Sequence, residues 1–226
     1  PDVKARANWL DAVTAHCAAR VGGDGYRPLD AEVIGAVQRA TGDDAIAMCA
    51  AGTMPGALKL LWQPSQGGYH MEYGFSCMGY EIAGAMGIKM ARPDADVICM
   101  LGDGSYMMAN SELATAVMMG IPFTVVLTDN RGYGCINRLQ KHTGGAPFNN
   151  LLDDARHVNP SAIDFVAHAG SMGARAVKAG SIAELESRLT ELRASPVPAV
   201  IVIDTDAPDR AAATAWLRPL PPACSA

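Results

Sequence analysis

The chain has 226 residues, half of them apolar and 18% charged, enough to bury a full core; this excludes a disordered chain and predicts one globular domain with an appended tail. Its formal net charge of -5 comes without any Lys/Arg cluster, which excludes an electrostatic footprint for nucleic acid or an anionic membrane. No apolar run is long enough to span a bilayer, and Pro1-Asp2-Val3-Lys4 begins neither a signal nor a transit peptide, so a soluble cytoplasmic protein is expected.

Residues 1–28 read as an Ala-rich helix that breaks in the turn-rich stretch from Val21 to Pro28, an interdomain linker. A domain is expected from Leu29 to Thr205. Within it the pattern predicts a helix over Asp30 to Ala40, a strand near Ala45 to Cys49, and helices near Pro55 to Leu61 and Met78 to Met90. A strand Val97 to Leu101, one helix near Met107 to Met119 and a strand Phe123 to Thr128 come next. After an irregular segment the pattern gives a helix near Ser161 to Ser171, a strand Ala174 to Lys178, a helix Ile182 to Ala194 and a strand Ala199 to Ile203. Residues 206–226 form a C-terminal tail. Strands that are apolar on both faces and separated by helices predict an α/β fold, a parallel sheet with helices on both faces, whose ligands gather at the strands' carboxyl ends.

Six cysteines without C-x-x-C spacing suit reduced core thiols better than disulfides or zinc, and the twelve methionines, including the pairs 107–108 and 118–119, are read as core filler.

The apolar run Val97 to Leu101 breaks at Gly102-Asp103-Gly104-Ser105. The glycines permit a tight turn with close backbone approach, and Ser105 sits where a helix start exposes free N–H groups, so the stretch reads as a phosphate cradle. Asp103 beside a phosphate is repulsive unless a hard divalent cation, Mg²⁺, lies between them. The next strand ends in Thr128-Asp-Asn-Arg-Gly-Tyr-Gly134, so Asn130 stands 27 positions after Asp103, one strand-helix-strand unit on. Adjacent parallel strands would bring both to one sheet edge. G-D-G is also an ordinary turn, and a dinucleotide site remains a rival, although the third glycine of its fingerprint would fall at Met107.

G-D-G followed by a helix, a strand and an Asn-containing turn resembles the signature of the thiamine-diphosphate-dependent enzymes, within the diphosphate-binding domain of the acetolactate-synthase and pyruvate-decarboxylase group. The resemblance implies thiamine diphosphate and Mg²⁺ as cofactors, with Asp103, Asn130 and the Gly132 carbonyl as metal ligands. Asp129 departs from the family's usual Asn-Asn at a position that supplies no ligand. Gly52 and Thr53, after the first strand, stand where the family approaches the diphosphate. Cys77-Met78-Gly79-Tyr80 resembles the family's G-A-M-G-F, whose Met wedges the cofactor into its bent form; Ser76 replaces the usual Gly, of which only the carbonyl is used. Together the expected cofactor contacts are Gly52, Thr53, Ser76, Met78, Gly102, Asp103, Gly104, Ser105, Asn130 and Gly132.

Within the family, residues 68–91 and 101–117 resemble most the branch that hydrolyses a carbon-carbon bond of a trihydroxylated cyclic 1,2-diketone in inositol catabolism. A 2-oxoacid decarboxylase, an acetolactate-type synthase and a non-catalytic cofactor-binding subunit are the alternatives. His70, Glu72, Tyr73, Asn137, Gln140 and His142 flank the cofactor motifs and are candidates to face a substrate. The resemblance also implies an activating Glu on a separate pyrimidine-binding domain, for which 226 residues leave no room, so a partner chain or a missing part, within a homo-oligomer, is expected.

Overall fold

The computed structural model describes residues 26–72, 74–159 and 162–205. Most of the expected linker, the whole expected tail, and Tyr73 lie outside the described residues. Six parallel strands form one sheet in the order β2-β1-β3-β4-β6-β5: β1 (Ile46–Cys49), β2 (Tyr69–Met71), β3 (Val97–Gly102), β4 (Thr124–Asp129), β5 (Arg175–Ala179) and β6 (Ala199–Asp204). The helices are α1 (Asp30–Thr41), α2 (Met54–Leu61), α3 (Tyr80–Ala91), α4 (Asp103–Met108), α5 (Glu112–Met119), α6 (Gly134–His142), α7 (Phe165–Ser171) and α8 (Ile182–Leu192). Among the described residues no helix is long and apolar enough to cross a membrane.

The period-2 alternation of the strands divides the core. Ile98 and Met100 of β3, Val126 of β4 and Ile201 of β6 face one layer, where they pack with Val33, Ile34 and Val37 of α1, Leu58 of α2 and Leu189 of α8. Cys99, Leu101, Val125, Leu127, Val200 and Val202 face the other, against Ile82, Tyr106, Leu113 and Phe165. Side chains buried on both faces are why these strands read as unbroken apolar runs.

Local chemistry sets several boundaries. The Glu32 carboxylate turns back to accept the Leu29 N–H at 2.9 Å and so begins α1. Asp164 and Ser181 cap α7 and α8 by accepting the amides of Ala167 and Glu184. The chain leaves β1 toward β2 on one side and returns to β3 on the other, so the order reverses beside β1. That reversal opens a crevice at the carboxyl ends of β1 and β3.

Four expectations need correction. The helix expected over 107–119 is two, α4 and α5, because the chain breaks at Ala109 (φ -151°, ψ 57°), where Gly79 packs so closely that an added Cβ would meet Ala109 Cβ at 3.1 Å. The segment after β4 is not irregular: α6 forms there, with its amphipathic pattern inverted, Asn137 buried and Ile136 and Leu139 exposed. Strand β2 is an addition to the expected elements: its three residues, exposed His70 between half-buried Tyr69 and Met71, are too few to carry a periodic signal. The methionine pairs are not core filler, since Met107, Met108, Met118 and Met119 are all exposed: they end α4 and α5, whose buried sides are taken by Tyr106 and by Leu113 and Ala116.

The described cysteines are free; Cys49 and Cys99 are buried, and burial pushes the Cys49 thiol up to about 12, as suits an inert core thiol. Cys77 is exposed, and Cys135 is half-buried.

Candidate active site

At the carboxyl end of the sheet a cavity of about 470 Å³ opens between α2 and α6, with the ends of β3 and β4 as its floor. Gly52, Thr53, Ser76, Met78, Gly102, Gly104, Ser105, Asn130 and Gly132 all line it. Of the ten expected cofactor contacts only Asp103 stands back from the wall, 6% exposed, as the first residue of α4.

The loop after β4 is strongly bent. Arg131 and Gly132 are consecutive residues with positive φ, 64° and 139°. The Arg131 N–H donates to Asp129 Oδ1 at 2.9 Å, and its guanidinium reaches Asp153 at 3.0 Å. Residues 150–152 buttress the bend: the Tyr133 N–H donates to Asn150 O at 2.7 Å and the Leu152 N–H to Arg131 O at 2.8 Å. The bend turns the Gly132 N–H onto Asp103 Oδ2 at 2.6 Å.

Three groups that can each present an oxygen converge as a result. One end of the Asn130 side-chain amide lies 3.3 Å from Asp103 Oδ1 and 2.8 Å from Gly132 O. With its nitrogen there the amide donates to both, whereas a cation bound among the three would draw its oxygen inward instead. Adjacent ligands of an octahedral Mg²⁺, at about 2.0–2.1 Å from the ion, are about 2.9 Å apart, and one carboxylate, one amide and one carbonyl form a hard-oxygen donor set. Among the described residues no three His, Cys, Asp or Glu side chains cluster, so a site of the zinc type has no ligands here. Burial, with the nearby Asp129 carboxylate, pushes the Asp103 carboxyl up to about 6, against the amides of Gly132, Gly104 and Asn130, which lower it. A cation at the three oxygens would favour the ionised form. The residues fit Mg²⁺.

The same geometry fits a diphosphate-bearing cofactor. Gly52 has φ 94° and open space where a Cβ would stand. At Gly104 a Cβ would meet the Tyr133 ring at 2.9 Å and Met78 Cε at 3.4 Å, so only glycine lets those side chains close over the floor. Ser76, where the family has Gly, sits at φ 51°, a conformation glycine adopts freely. The Glu72 carboxylate holds that loop by accepting the N–H groups of Phe75 at 3.1 Å and Cys77 at 2.8 Å, bonds that lower its pKa.

Two expected contacts have their side chains engaged elsewhere. Thr53 Oγ1 donates to the buried Asp30 carboxylate. Ser105 Oγ donates to Glu81 Oε1 at 2.6 Å and accepts the Gly79 N–H at 3.2 Å. Glu81, wholly buried, also accepts the N–H groups of Ala51 at 3.3 Å and Gly79 at 2.9 Å. One carboxylate thus ties the loop after β1, the Met78 turn and α4 together. Sequence reasoning missed this role, and only the distance along the chain to its partners, 24 to Ser105 and 30 to Ala51, explains why.

None of the described residues expected to face a substrate lines the cavity. His70 bonds Tyr80 Oη at 3.2 Å on the edge strand, Glu72 serves its loop, Gln140 donates to Ala146 O at 2.6 Å, and His142 is exposed at the end of α6. Asn137 is buried with an unpartnered Oδ1.

Residues 50–203 match the family described as thiamine pyrophosphate enzyme, C-terminal TPP binding domain, and the chain belongs to that family. Among similar proteins, a 3D-(3,5/4)-trihydroxycyclohexane-1,2-dione hydrolase 2 of Bacillus cereus is 40% identical over 178 residues, which are 76% of this chain and 28% of the relative. The 3D-(3,5/4)-trihydroxycyclohexane-1,2-dione hydrolase of Geobacillus thermodenitrificans is 39% identical over the same shares, and that of Bacillus subtilis 38% identical over 70% of this chain and 25% of its own. The chain therefore spans little more than a quarter of the curated relatives it matches. A solved structure, the Rhodococcus jostii RHA1 thiamine diphosphate-dependent 4-hydroxybenzoylformate decarboxylase, superposes with a TM-score of 0.67 at 24% identity, covering 80% of this chain and 33% of that one, which shows the shared fold.

Proposed function

We propose that this chain supplies the diphosphate- and Mg²⁺-holding half of a thiamine-diphosphate-dependent active site that hydrolyses a carbon-carbon bond of a cyclic 1,2-diketone of the trihydroxycyclohexane-1,2-dione kind, in the cytoplasm. The observation that carries this reading is the convergence of Asp103 Oδ1, the Gly132 carbonyl and the Asn130 side-chain amide beside a cavity in a chain about 40% identical to hydrolases of that name. Asp103, Asn130 and Gly132 O would hold the cation, and Gly52, Gly102 and Gly104 give the diphosphate room beside it. The Ser105 hydroxyl positions the floor through Glu81, which leaves the residue's backbone to face the ligand. Met78 supports the cofactor's bend from the cavity wall. The cofactor, when bound, supplies a nucleophilic carbon and an electron sink for the cleavage.

In this reading residues 29–205 are the diphosphate-binding domain, 1–28 a linker and 206–226 a tail, and the acid that activates the cofactor comes from a pyrimidine-binding domain of a partner or of a longer chain. Exposed apolar side chains beside the cavity support such a cover: Phe75 is 91% exposed, and Tyr133, Ile136 and Leu139 on the cavity wall are each more than 40% exposed.

The test supplies thiamine diphosphate and Mg²⁺ to the protein with its pyrimidine-binding part and offers a cyclohexane-1,2-dione or pyruvate. An open-chain acid from the ring supports the reading. Turnover of pyruvate alone would mark a 2-oxoacid decarboxylase or acetolactate-type synthase, and cofactor binding without turnover of either would mark a binding-only subunit.

A further inference from the structure

The wall of the cavity that α6 provides carries a cation that the preceding reading does not use. Arg138 lines the cavity, yet its Nε is sealed from solvent with no hydrogen-bond partner. Its Nη2 makes only a weak contact, 3.7 Å from Cys135 Sγ. Among the described residues Arg138 enters no ion pair; its charge is felt by Asp30, which also lines the cavity and whose carboxylate is engaged by Thr53 Oγ1. A guanidinium is a planar fork of donors with a permanent charge, matched to two oxygens of a phosphate or carboxylate.

We propose that Arg138 is an oxyanion ligand of this cavity, binding through the Nη1–Nη2 edge of its guanidinium an oxyanion that presents two oxygens. The inference rests on the reading above for what enters the cavity, and two sources offer the same chemistry: the terminal phosphate of the cofactor, and the carboxylate of the acid released by ring opening. The cavity of about 470 Å³ that Arg138 lines also holds Gly52, Thr53, Gly102 and Gly104, so either group would enter the same space.

The experiment measures binding by calorimetry in the protein together with the part that completes its site, for the native form, Arg138→Met and Arg138→Lys. The probes are thiamine diphosphate with Mg²⁺, and gluconate, a polyhydroxylated six-carbon carboxylate, added to the cofactor-loaded protein. Removing a charged hydrogen bond from a ligand is expected to weaken its binding about tenfold or more in Arg138→Met, with Arg138→Lys intermediate because it keeps the charge and loses the fork. Weaker thiamine diphosphate binding identifies the cofactor's phosphate; weaker gluconate binding alone identifies the carboxylate. Unchanged affinity for both probes in Arg138→Met or in Arg138→Lys, with the melting temperature retained, overturns the proposal. Asp103→Ala serves as the control for the preceding reading: if it leaves thiamine diphosphate binding intact, the cofactor assignment fails, while the gluconate arm still decides on Arg138.

Discussion

The Gly132 N–H donates to Asp103 Oδ2 at 2.6 Å, tying the loop after β4 to the first residue of the helix after β3. One carboxylate oxygen is spent on holding the loop, and the other, Oδ1, is left facing the Asn130 side-chain amide. Asp103 therefore both shapes the three-oxygen set and belongs to it. Asp103→Ala should lower Mg²⁺-dependent affinity for thiamine diphosphate by roughly a hundredfold, since it removes a ligand and its support at once. Asp103→Asn keeps an acceptor for Gly132 and should lose less. Calorimetry with and without Mg²⁺ reads both; unchanged affinity in Asp103→Ala would sink the metal assignment.

Gly132 has no room for a side chain. A Cβ would lie 2.5 Å from Asn150 O and 3.0 Å from Leu151 Cα, both backbone atoms that a rotamer change cannot move, and φ is 139°. Gly132→Ala should cost about 1–3 kcal/mol through strain, lowering the melting temperature by at least about 2 °C, and should weaken Mg²⁺ binding by displacing the carbonyl. A variant that melts with the native protein and binds Mg²⁺ as well would contradict this account of the loop.

Glu81 predicts a graded series. Glu81→Ala leaves the Ser105 hydroxyl and the Ala51 amide without their acceptor in a buried place, at about 1–3 kcal/mol each, and takes from the Gly79 amide one of its two acceptors. The expected outcome of Glu81→Ala is a large loss of stability in urea titration. Glu81→Gln retains one acceptor oxygen, so it should fold with a smaller loss, yet bind thiamine diphosphate more weakly, because the cavity's three walls are no longer held in register. Glu81→Gln with native cofactor affinity would assign Glu81 to stability alone.

Met78 carries an uncharged side chain whose Cε lies 3.4 Å from the place of a Gly104 Cβ, on the cavity wall. Met78→Ala should therefore reduce kcat of the completed enzyme more than it raises the dissociation constant for thiamine diphosphate, since the side chain shapes the cofactor and does not grip its charge. The opposite split, full kcat with much weaker binding, would make Met78 a packing residue.

Asp30 should leave a mark on stability against pH. Burial raises its pKa, opposed by the Thr53 hydroxyl and the Arg138 charge. A raised carboxyl pKa means that folding favours the neutral form, so this group's stabilisation is present below the ordinary carboxylate value and is lost as pH rises through the raised one. Asp30→Asn removes that loss while keeping an oxygen for Thr53 to bond. Melting temperatures of the variant and the native protein, compared from pH 4 to 8, should diverge in favour of Asp30→Asn as pH rises; a difference independent of pH would show that the carboxyl does not titrate in this range.

The two-sided apolar strands, the alternating helices and the spacing of Asp103 and Asn130 were legible in the sequence, because burial imposes a period of two on a strand and one strand-helix-strand unit sets the distance between equivalent positions on adjacent strands. From these alone followed the parallel sheet, its carboxyl edge as the place of the site, and both side chains at that edge. Tertiary structure decided what each group does once there. Residues 150–152 bend the loop so that the Gly132 N–H and carbonyl meet Asp103 and Asn130. The fold gives the Ser105 and Thr53 hydroxyls to Glu81 and Asp30, buries Asn137 while exposing Ile136, and leaves the Arg138 guanidinium on the cavity wall. Sequence periodicity records which side of an element is buried, whereas the partner of a hydrogen bond is chosen through space among residues 20 or 30 positions apart, and no local pattern carries that choice.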